Sequence, residues 1–470
     1  MRGIVSYGGY VPFNRLKREE MARAFEKKKA KGERAVANFD EDSITMSVAA
    51  ALESVRGYDV DKIDAAYFAS TTSPYKEKQC ATNLVAALDM RKDVRTADFA
   101  NSLRGGTQAM LCALDAAAAG KTTMVASADM RMAYADGNFE TGFGDGGAAF
   151  IIGAENVIAE FIDSSSVAVD FHDQWRGEND KFVRYWEDRY AINVGYEPFV
   201  KEAVKSVLAK TGLAAADFSK IVLYGMNPRY QLQMAGKLGF APEQIQNNLY
   251  DTIGITGAAY VPMMLVGALE EAQPGDKLLV VGYGEGADAM VFQVTEEIKN
   301  LAPRRGIRSY LENKKNTMNY EKFLRWKGLI DCEPNRRPTQ QRSSLPDYMR
   351  NYEKNYALYG HVCKVCGTPQ FPPLRKCINC RSVDQMEKYR FYGKTGKVTT
   401  FAVDYLGASI DPPTLSAIVD FEGGGRMLTN VVDCEQDKIF NGMEVEMSYR
   451  KLFDVEGIHT YFWKAVPKLI

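Results

Sequence analysis

The chain repeats itself. A strand-like run at 63–70 precedes a small-residue helix opening near Gly105-Gly106-Thr107. A fully apolar strand at 123–128 follows, and then a Gly-rich turn, Gly144-Asp145-Gly146-Gly147, leads into a second buried strand reaching Ile152. The same order returns in the strand 221–224, the helix opened by Gly257-Ala258-Ala259-Tyr260 and running to Glu271, the strand 277–282, and the turn Gly284-Glu285-Gly286 leading to Phe292. The offset is roughly 150 residues, the size of a domain. Continuous apolar strands alternating with helices are the pattern of sheets buried on both faces. Two copies predict a duplicated α/β domain packed in layers over 1–332, with halves at about 1–160 and 161–332. Two unrelated α/β units with similar Gly turns would give the same pattern.

Past residue 294 the character changes. Pro303-Arg304-Arg305 and Asn335-Arg336-Arg337-Pro338 lie in a polar, basic stretch that reads as short helices followed by a linker at 333–346. The basic residues read as a solvated face. A helical stretch at 348–356 then precedes Cys363-Lys364-Val365-Cys366 and, after ten residues, Cys377-Ile378-Asn379-Cys380. Each C-x2-C knuckle lets two sulfurs converge on one ion, and Zn2+ takes four thiolates tetrahedrally at about 2.3 Å. Four cysteines leave no open position, so the expected zinc is structural. Residues 347–388 are expected to form the helix and zinc ribbon. From 389 to 470 short alternating runs, 398–403, 415–420, 427–432 and 445–449, suggest a small β-barrel. Cys80, Cys112, Cys332 and Cys434 carry no such spacing.

Composition excludes several classes. Lys+Arg is 59 and Asp+Glu is 60, a net charge of −1, so the basic surplus of a nucleic-acid binder is missing. No apolar run reaches the roughly 18 residues of a membrane span. The opening Met1-Arg2-Gly3-Ile4-Val5-Ser6 lacks the shape of a signal peptide. A cytoplasmic protein is expected, with its eight cysteines as reduced thiols, metal ligands or nucleophiles rather than disulfides. Neither Gly144-Asp145-Gly146 nor Gly284-Glu285-Gly286 precedes a helix, so neither reads as a nucleotide loop.

Several segments resemble the hydroxymethylglutaryl-CoA synthases of archaeal type: Asp40-Glu41-Asp42-Ser43-Ile44-Thr45-Met46, Trp175-Arg176, Lys237-Leu238-Gly239-Phe240, Pro274-Gly275-Asp276 and Tyr283-Gly284-Glu285-Gly286. The resemblance covers roughly residues 1–331 and implies the thiolase fold. Residues 347–470 resemble the zinc-ribbon plus OB-fold family that accompanies thiolase-like acyl-CoA enzymes, on Cys363, Cys366, Cys377, Cys380, Phe371-Pro372-Pro373 and Gly442-Met443. In archaea that family implies a separate chain bridging thiolase and synthase; here it is fused.

The resemblance also implies where the catalytic groups should stand, and the sequence departs from it there. The nucleophilic cysteine falls on Leu103, within Asn101-Ser102-Leu103-Arg104-Gly105, and a one-residue slip would offer Ser102. The general-base histidine falls on Tyr224 and the acidic residue on Thr71. Asn227 is implied to orient substrate. Coenzyme A is implied as part of the substrate, with Gly284, Gly286, Trp175 and Arg176 as its contacts.

A leucine cannot form an acyl-enzyme, which needs an accessible anion such as a thiolate. Aldol and retro-aldol chemistry needs only an enolate, stabilised by oxyanion donors, and a group to move a hydroxyl proton. Formation or cleavage of a β-hydroxyacyl-CoA is therefore the leading expectation. Tyr224 is the candidate proton carrier, or else a core tyrosine at a strand end. Two rivals stand beside it: Claisen-type condensation, and an inactive scaffold that binds and channels CoA esters. The family resemblance implies a homodimer, with a further thiolase-family or acyl-CoA enzyme as a possible partner. Asp145 and Glu285, at matching places in the two Gly turns, are expected to cap the backbone N–H groups that follow. Tyr134, Phe139, Tyr185, Trp186 and Tyr190 suggest a bulky acyl chain, or simple loop packing.

Overall fold

The repeat in the sequence becomes a repeat within one sheet. The computed structural model describes residues 1–28, 30–333, 344–407 and 409–469. The first half supplies β1 (Gly3–Tyr10), β2 (Ala65–Ser70), β3 (Arg95–Ala100), β4 (Thr123–Met130) and β5 (Asp145–Gly153). The second supplies β6 (Ala159–Ala168), β7 (Lys220–Leu223), β8 (Lys277–Gly284) and β9 (Gly286–Val294). The strands hydrogen-bond in the order β7-β8-β9-β6-β1-β5-β4-β2-β3. The halves meet where β1 pairs with β6, Gly3 opposite Glu160 and Ile4 opposite Ala159. Outward from that seam each half reads alike: antiparallel pairs first, then parallel ones, β4-β2-β3 on one side and β8-β7 on the other. β3 is the extra strand and forms an edge.

Burial follows the apolar pattern. β1, β5 and all but the last residue of β4 are buried along their length, as strands covered on both faces must be. Five helices of this domain bear on the argument: α1 (Ser43–Ser54), α2 (Gly105–Ala118), α3 (Glu197–Thr211), α4 (Pro228–Lys237) and α5 (Tyr260–Leu269). Asp42 caps α1, its side chain accepting from Thr45 N while Thr45 Oγ1 accepts from Asp42 N. α5 is apolar all round and almost wholly buried, the mark of an interior helix. It packs on β1 and β5 of the first half and on β7 and β8 of the second, and against α2. Gly106 permits that last contact, since a Cβ there would lie 2.3 Å from the Ala258 carbonyl oxygen and 2.8 Å from Pro262 Cγ. The architecture is the duplicated, layered α/β fold that the repeat predicts.

The chain divides into two compact units. One comprises Met1–Ala37, Asp42–Val85 and Met90–Phe323; the other comprises Asn38–Glu41, Ala86–Asp89 and Leu324–Ile470. In the stretch after β9 the short helices Glu296–Asn300, Arg308–Glu312 and Tyr320–Trp326 are joined by a strand, Lys315–Met318. Most of the expected linker, 334–343, lies outside the described residues. The expected helical stretch at 348–356 is two helices, Leu345–Arg350 and Tyr352–Ala357, broken at Asn351.

In the second unit the strands Tyr359–Cys363, Pro369–Gln370 and Met386–Arg390 form a small sheet bearing the cysteine knuckles. Beyond it β10 (Gly396–Asp404), β11 (Thr414–Phe421), β12 (Arg426–Val431), β13 (Glu444–Val455) and β14 (Ile458–Pro467) close into a barrel in the order β10-β11-β12-β14-β13. Burial alternates strictly along β11, and Val419, Tyr449, Tyr461 and Trp463 fill the interior. Among the described residues no helix is long and apolar enough to cross a membrane.

Candidate active site

Open α/β sheets gather function at the carboxyl ends of their strands. In the first domain the residues that follow five strands are Thr71 after β2, Ser102 two places after β3, Arg131 after β4, Tyr224 after β7 and Glu285 after β8. Contacts among their side chains and immediate neighbours define one site.

Ser102 Oγ donates to Glu285 Oε2 at 2.6 Å, and accepts from Arg104 N at 3.2 Å. Arg104 spans the two halves: Nη2 donates to the Glu285 carbonyl at 2.9 Å, and Nη1 makes a buried ion pair with Asp288 at 3.0 Å. Asp288 also accepts from Ser166 and Thr107. Gly284 makes room for this junction, because a Cβ there would stand 3.0 Å from both Ser102 Oγ and Arg104 Cγ. Glu285 therefore receives a serine hydroxyl. It does not cap the backbone N–H groups after its turn, contrary to expectation. Asp145, its counterpart, reaches back to the first half: its Oδ2 accepts from Ala37 N at 2.8 Å, and Arg34 stands 3.8 Å from Oδ1. The turns match in backbone but face different neighbours.

Beside this junction lies a cluster of buried phenols and one carboxylate. Tyr224 packs edge-on against Tyr260 and tilted against Tyr196 and Tyr283. Tyr196 Oη donates to the Tyr224 carbonyl at 2.6 Å, and Tyr283 Oη donates to Asp173 Oδ2 at 2.8 Å. Burial pushes the Tyr224 hydroxyl up to about 12, against the Arg131 guanidinium, which pulls it down. Burial also raises the Asp173 carboxyl, although the Tyr283 hydrogen bond opposes it. The neighbouring Gln174 amide serves two residues: Oε1 accepts from Arg131 Nη2 at 3.1 Å, and the side chain hydrogen-bonds to the Tyr224 hydroxyl.

Thr71 sits at the rim of this cluster, but its hydroxyl is committed to Asp129 Oδ2 at 2.9 Å. Asp129 is a buried hub that also accepts from Ser70 Oγ, Thr71 N, Thr72 Oγ1 and Ala258 N. Arg176, exposed, donates to the Thr71 carbonyl. Trp175 is half-buried on the short strand Gln174–Trp175. Asn227 caps α4, its Oδ1 accepting from Tyr230 N at 3.1 Å. Leu103 is half-buried in the turn before α2 and brings no polar side-chain atom. Gly286 has φ +112° and lies against the Val167 carbonyl, where a Cβ would come to 1.9 Å. Tyr134, Tyr185, Trp186 and Tyr190 are exposed; the ring contacts of Tyr134, Tyr185 and Tyr190 run to Phe182, Phe139 and Phe171 respectively. Phe139 itself stacks on Phe143.

Sequence reasoning passed over Arg131 and Asp173. The available signal was a charged residue directly behind a fully apolar strand, for Arg131, and an acid two places before the shared Trp175, for Asp173.

In the second unit the sulfurs of Cys363, Cys366, Cys377 and Cys380 all lie within 4.8 Å of one another. Cys363 and Cys380 are 3.7 Å apart, and Cys366 and Cys377 3.5 Å. A tetrahedron with metal–sulfur bonds of about 2.3 Å has sulfur–sulfur edges of about 3.8 Å. Four thiolates at this spacing fit one such ion, with no position left for a substrate.

Comparison with known proteins agrees with this architecture. The family model described as 3-oxoacyl-[acyl-carrier-protein] synthase III C terminal matches residues 208–294, and that described as ChsH2, C-terminal OB-fold domain, matches residues 389–450. The hydroxymethylglutaryl-CoA synthase of Methanocaldococcus jannaschii is 33% identical over 331 residues, 67% of this chain and 95% of that protein. A crystal structure of HMG-CoA synthase complexed with CoA superposes with a TM-score of 0.62 at 20% identity, over 69% of this chain and 89% of that one. The 3-oxoacyl-[acyl-carrier-protein] synthase III from Aquifex aeolicus gives a TM-score of 0.56 at 22% identity, over 62% of this chain and all of that one. The first domain thus has the thiolase-like fold, and the barrel is an OB-fold.

Proposed function

The chain belongs to the hydroxymethylglutaryl-CoA synthase family, and on that premise we propose that its first domain forms, or in reverse cleaves, the carbon–carbon bond of a β-hydroxyacyl-CoA by aldol chemistry without an acyl-enzyme. The observation that carries the reading is the turn between β3 and α2. Ser102, Leu103 and Arg104 occupy it, and none of them offers a thiolate. The thiols elsewhere in this domain do not replace it. Burial pushes Cys80 up to about 12 and raises Cys112 as well, so both are protonated at neutral pH and poorly nucleophilic.

In the condensing direction Asp173 takes the α-proton of the thioester, and its raised pKa makes it a better base than an ordinary carboxylate. The enolate carbon attacks the carbonyl carbon of the second reactant. The alkoxide that forms takes the Tyr224 hydroxyl proton, and the phenolate is reset by the proton Asp173 received. A phenol with a pKa near 12 rests protonated, so bond formation starts from the correct state while cleavage requires a rare phenolate. Backbone N–H groups at the start of α2 and in the Gly284–Gly286 hairpin are the donors for the enolate oxygen. Trp175 and Arg176 contact the coenzyme A moiety, and Asn227 orients the acyl group through the amide nitrogen its cap leaves over. The four-cysteine cluster holds a structural Zn2+. The open edge of β3 is the surface for a second copy; light scattering that reports a monomer would remove that element.

A second reading is favoured by one contact. The Ser102–Glu285 hydrogen bond pairs a hydroxyl with a carboxylate, so Ser102 could carry an acyl group in Claisen-type condensation. Incubation with paired acyl-CoA and ketone substrates, followed by mass spectrometry, separates the readings. New β-hydroxyacyl-CoA without a protein adduct supports the first, and an adduct on the Ser102 peptide supports the second. CoA-ester binding with no turnover across a broad panel contradicts both and leaves a scaffold.

A further inference from the structure

Among the described residues of the first unit five aromatic side chains are exposed: Phe25, Tyr134, Tyr185, Trp186 and Tyr190. Four of the five lie in two segments, 131–142 and 177–192, that begin at or soon after Arg131 and Asp173. The exposure is thus concentrated beside the strand-end site. A concentrated apolar patch on a folded domain marks a ligand groove or an interface.

The hairpin of Gln174–Trp175 and Arg184–Tyr185 carries this patch to the site. Tyr185 pairs with Gln174, and Arg184 with Trp175. Directly paired residues share a face of a ribbon, and successive residues alternate between faces. The Gln174 amide is turned to Arg131 and Tyr224, so Tyr185 stands on the site's side of the ribbon and Trp175, assigned above to coenzyme A, on the other. Two backbone bonds hold the hairpin in place: Trp186 N donates to the Asp173 carbonyl at 2.8 Å, and Val183 N to the Met132 carbonyl at 3.0 Å.

From Arg131 the rings run outward in unbroken contact. The guanidinium lies over Phe143 at 4.4 Å. Phe143 stacks on Phe139 at 5.1 Å, and Phe139 meets Tyr185 at 4.6 Å. Phe143 is buried, Phe139 half-buried and Tyr185 42% exposed, so the wall is closed at its inner end and open at its rim. A wall that begins beside the groups holding the Tyr224 hydroxyl meets the reacting end of a thioester, not its nucleotide. An alkyl chain laid along such rings gains only buried area, whereas an aryl ring also gains stacking and edge contacts.

From this geometry we infer that the wall receives the acyl chain and that the chain carries an aromatic ring, seated against Phe139 and Tyr185. The inference rests on the acyl-CoA reading above and names the substrate class of that site.

Calorimetric titration of the full chain with phenylpropanoyl-CoA and cyclohexylpropanoyl-CoA, thioesters of equal length that differ in the ring, tests it. The saturated ring is the more apolar, so area burial alone favours it. The expected result is the reverse, phenylpropanoyl-CoA tighter by about two- to tenfold, the range of one ring–ring contact. Tyr185→Leu, at an exposed position, should abolish that ratio with the melting temperature near wild type, and Tyr185→Phe should keep it. Acetyl-CoA serves as the control for the site itself. If acetyl-CoA binds but the wild type shows no preference for the phenyl ring, or if the preference survives in Tyr185→Leu combined with Phe139→Leu, the inference is overturned while the acyl-CoA reading stands. Failure of all three thioesters to bind overturns that reading and the inference together.

Discussion

Ser102 Oγ and Glu285 Oε2 lie 2.6 Å apart across 183 residues of sequence, joining the end of β3 to the hairpin after β8. The bond fixes the turn before α2 against the second half of the repeat. If Ser102 serves geometry rather than attack, Ser102→Ala removes one hydrogen bond to a carboxylate, worth about 1.5–3 kcal/mol, and lowers turnover by no more than about tenfold. A nucleophile's loss would instead cost on the order of 10⁴ or more. Steady-state kinetics of this variant, with its melting temperature, separates the two.

Tyr224→Phe keeps the ring packing on Tyr196, Tyr260 and Tyr283 and removes only the hydroxyl. Turnover should fall by about 10²–10⁴-fold, the range for a lost general acid, with CoA-ester affinity preserved. The acting form is the protonated phenol, and its pKa is about 12. Wild-type turnover should therefore show no alkaline decline through pH 9. A decline between pH 7 and 9 that disappears in Tyr224→Phe would contradict the assignment.

Asp173 joins function to stability with a definite sign. Burial raises its native pKa above the unfolded value, so the folded state binds the proton more tightly. Its favourable contribution is complete below the ordinary carboxylate range and is lost as pH rises through the raised native value. Asp173→Asn keeps an acceptor for the Tyr283 hydroxyl and abolishes the buried charge. It should nearly eliminate turnover, while its melting temperature relative to wild type rises from pH 4 to pH 8. Calorimetry at the two pH values checks this; a relative stability that falls over that interval contradicts it.

How much of this could be read beforehand differs by feature. The repeat was legible because buried strands must be apolar throughout and because the Gly turns recur at matching places; the joining of the two halves into one sheet at β1 and β6 was not, since no local pattern marks that pairing. The convergence of the four cysteine sulfurs was legible from the spacing of the two knuckles. The Ser102–Glu285 bond was not, since no local pattern marks a contact between residues so far apart. Glu285 and Asp145 look equivalent in sequence and take different partners, because each half presents a different neighbour to its turn. Arg131 shows in sequence only as a charge behind an apolar strand; its contact with Gln174 emerges only once the fold brings residues 131 and 174 together.

Metal content gives an independent check on the second unit. Elemental analysis should find about one zinc per chain, and Cys363→Ser or Cys377→Ser, at buried ligand positions, should release it. Stripping the ion from the full chain should lower the melting temperature without altering affinity for CoA esters in the first domain. Metal-free protein with unchanged thermal stability would contradict a structural role.

Intact-protein mass spectrometry during turnover reads the central claim most directly. With acyl-CoA and a ketone acceptor supplied together, β-hydroxyacyl-CoA should accumulate while the protein mass stays that of the bare chain at every time point. A mass gain equal to the acyl group, formed and discharged at the rate of turnover, would contradict the account.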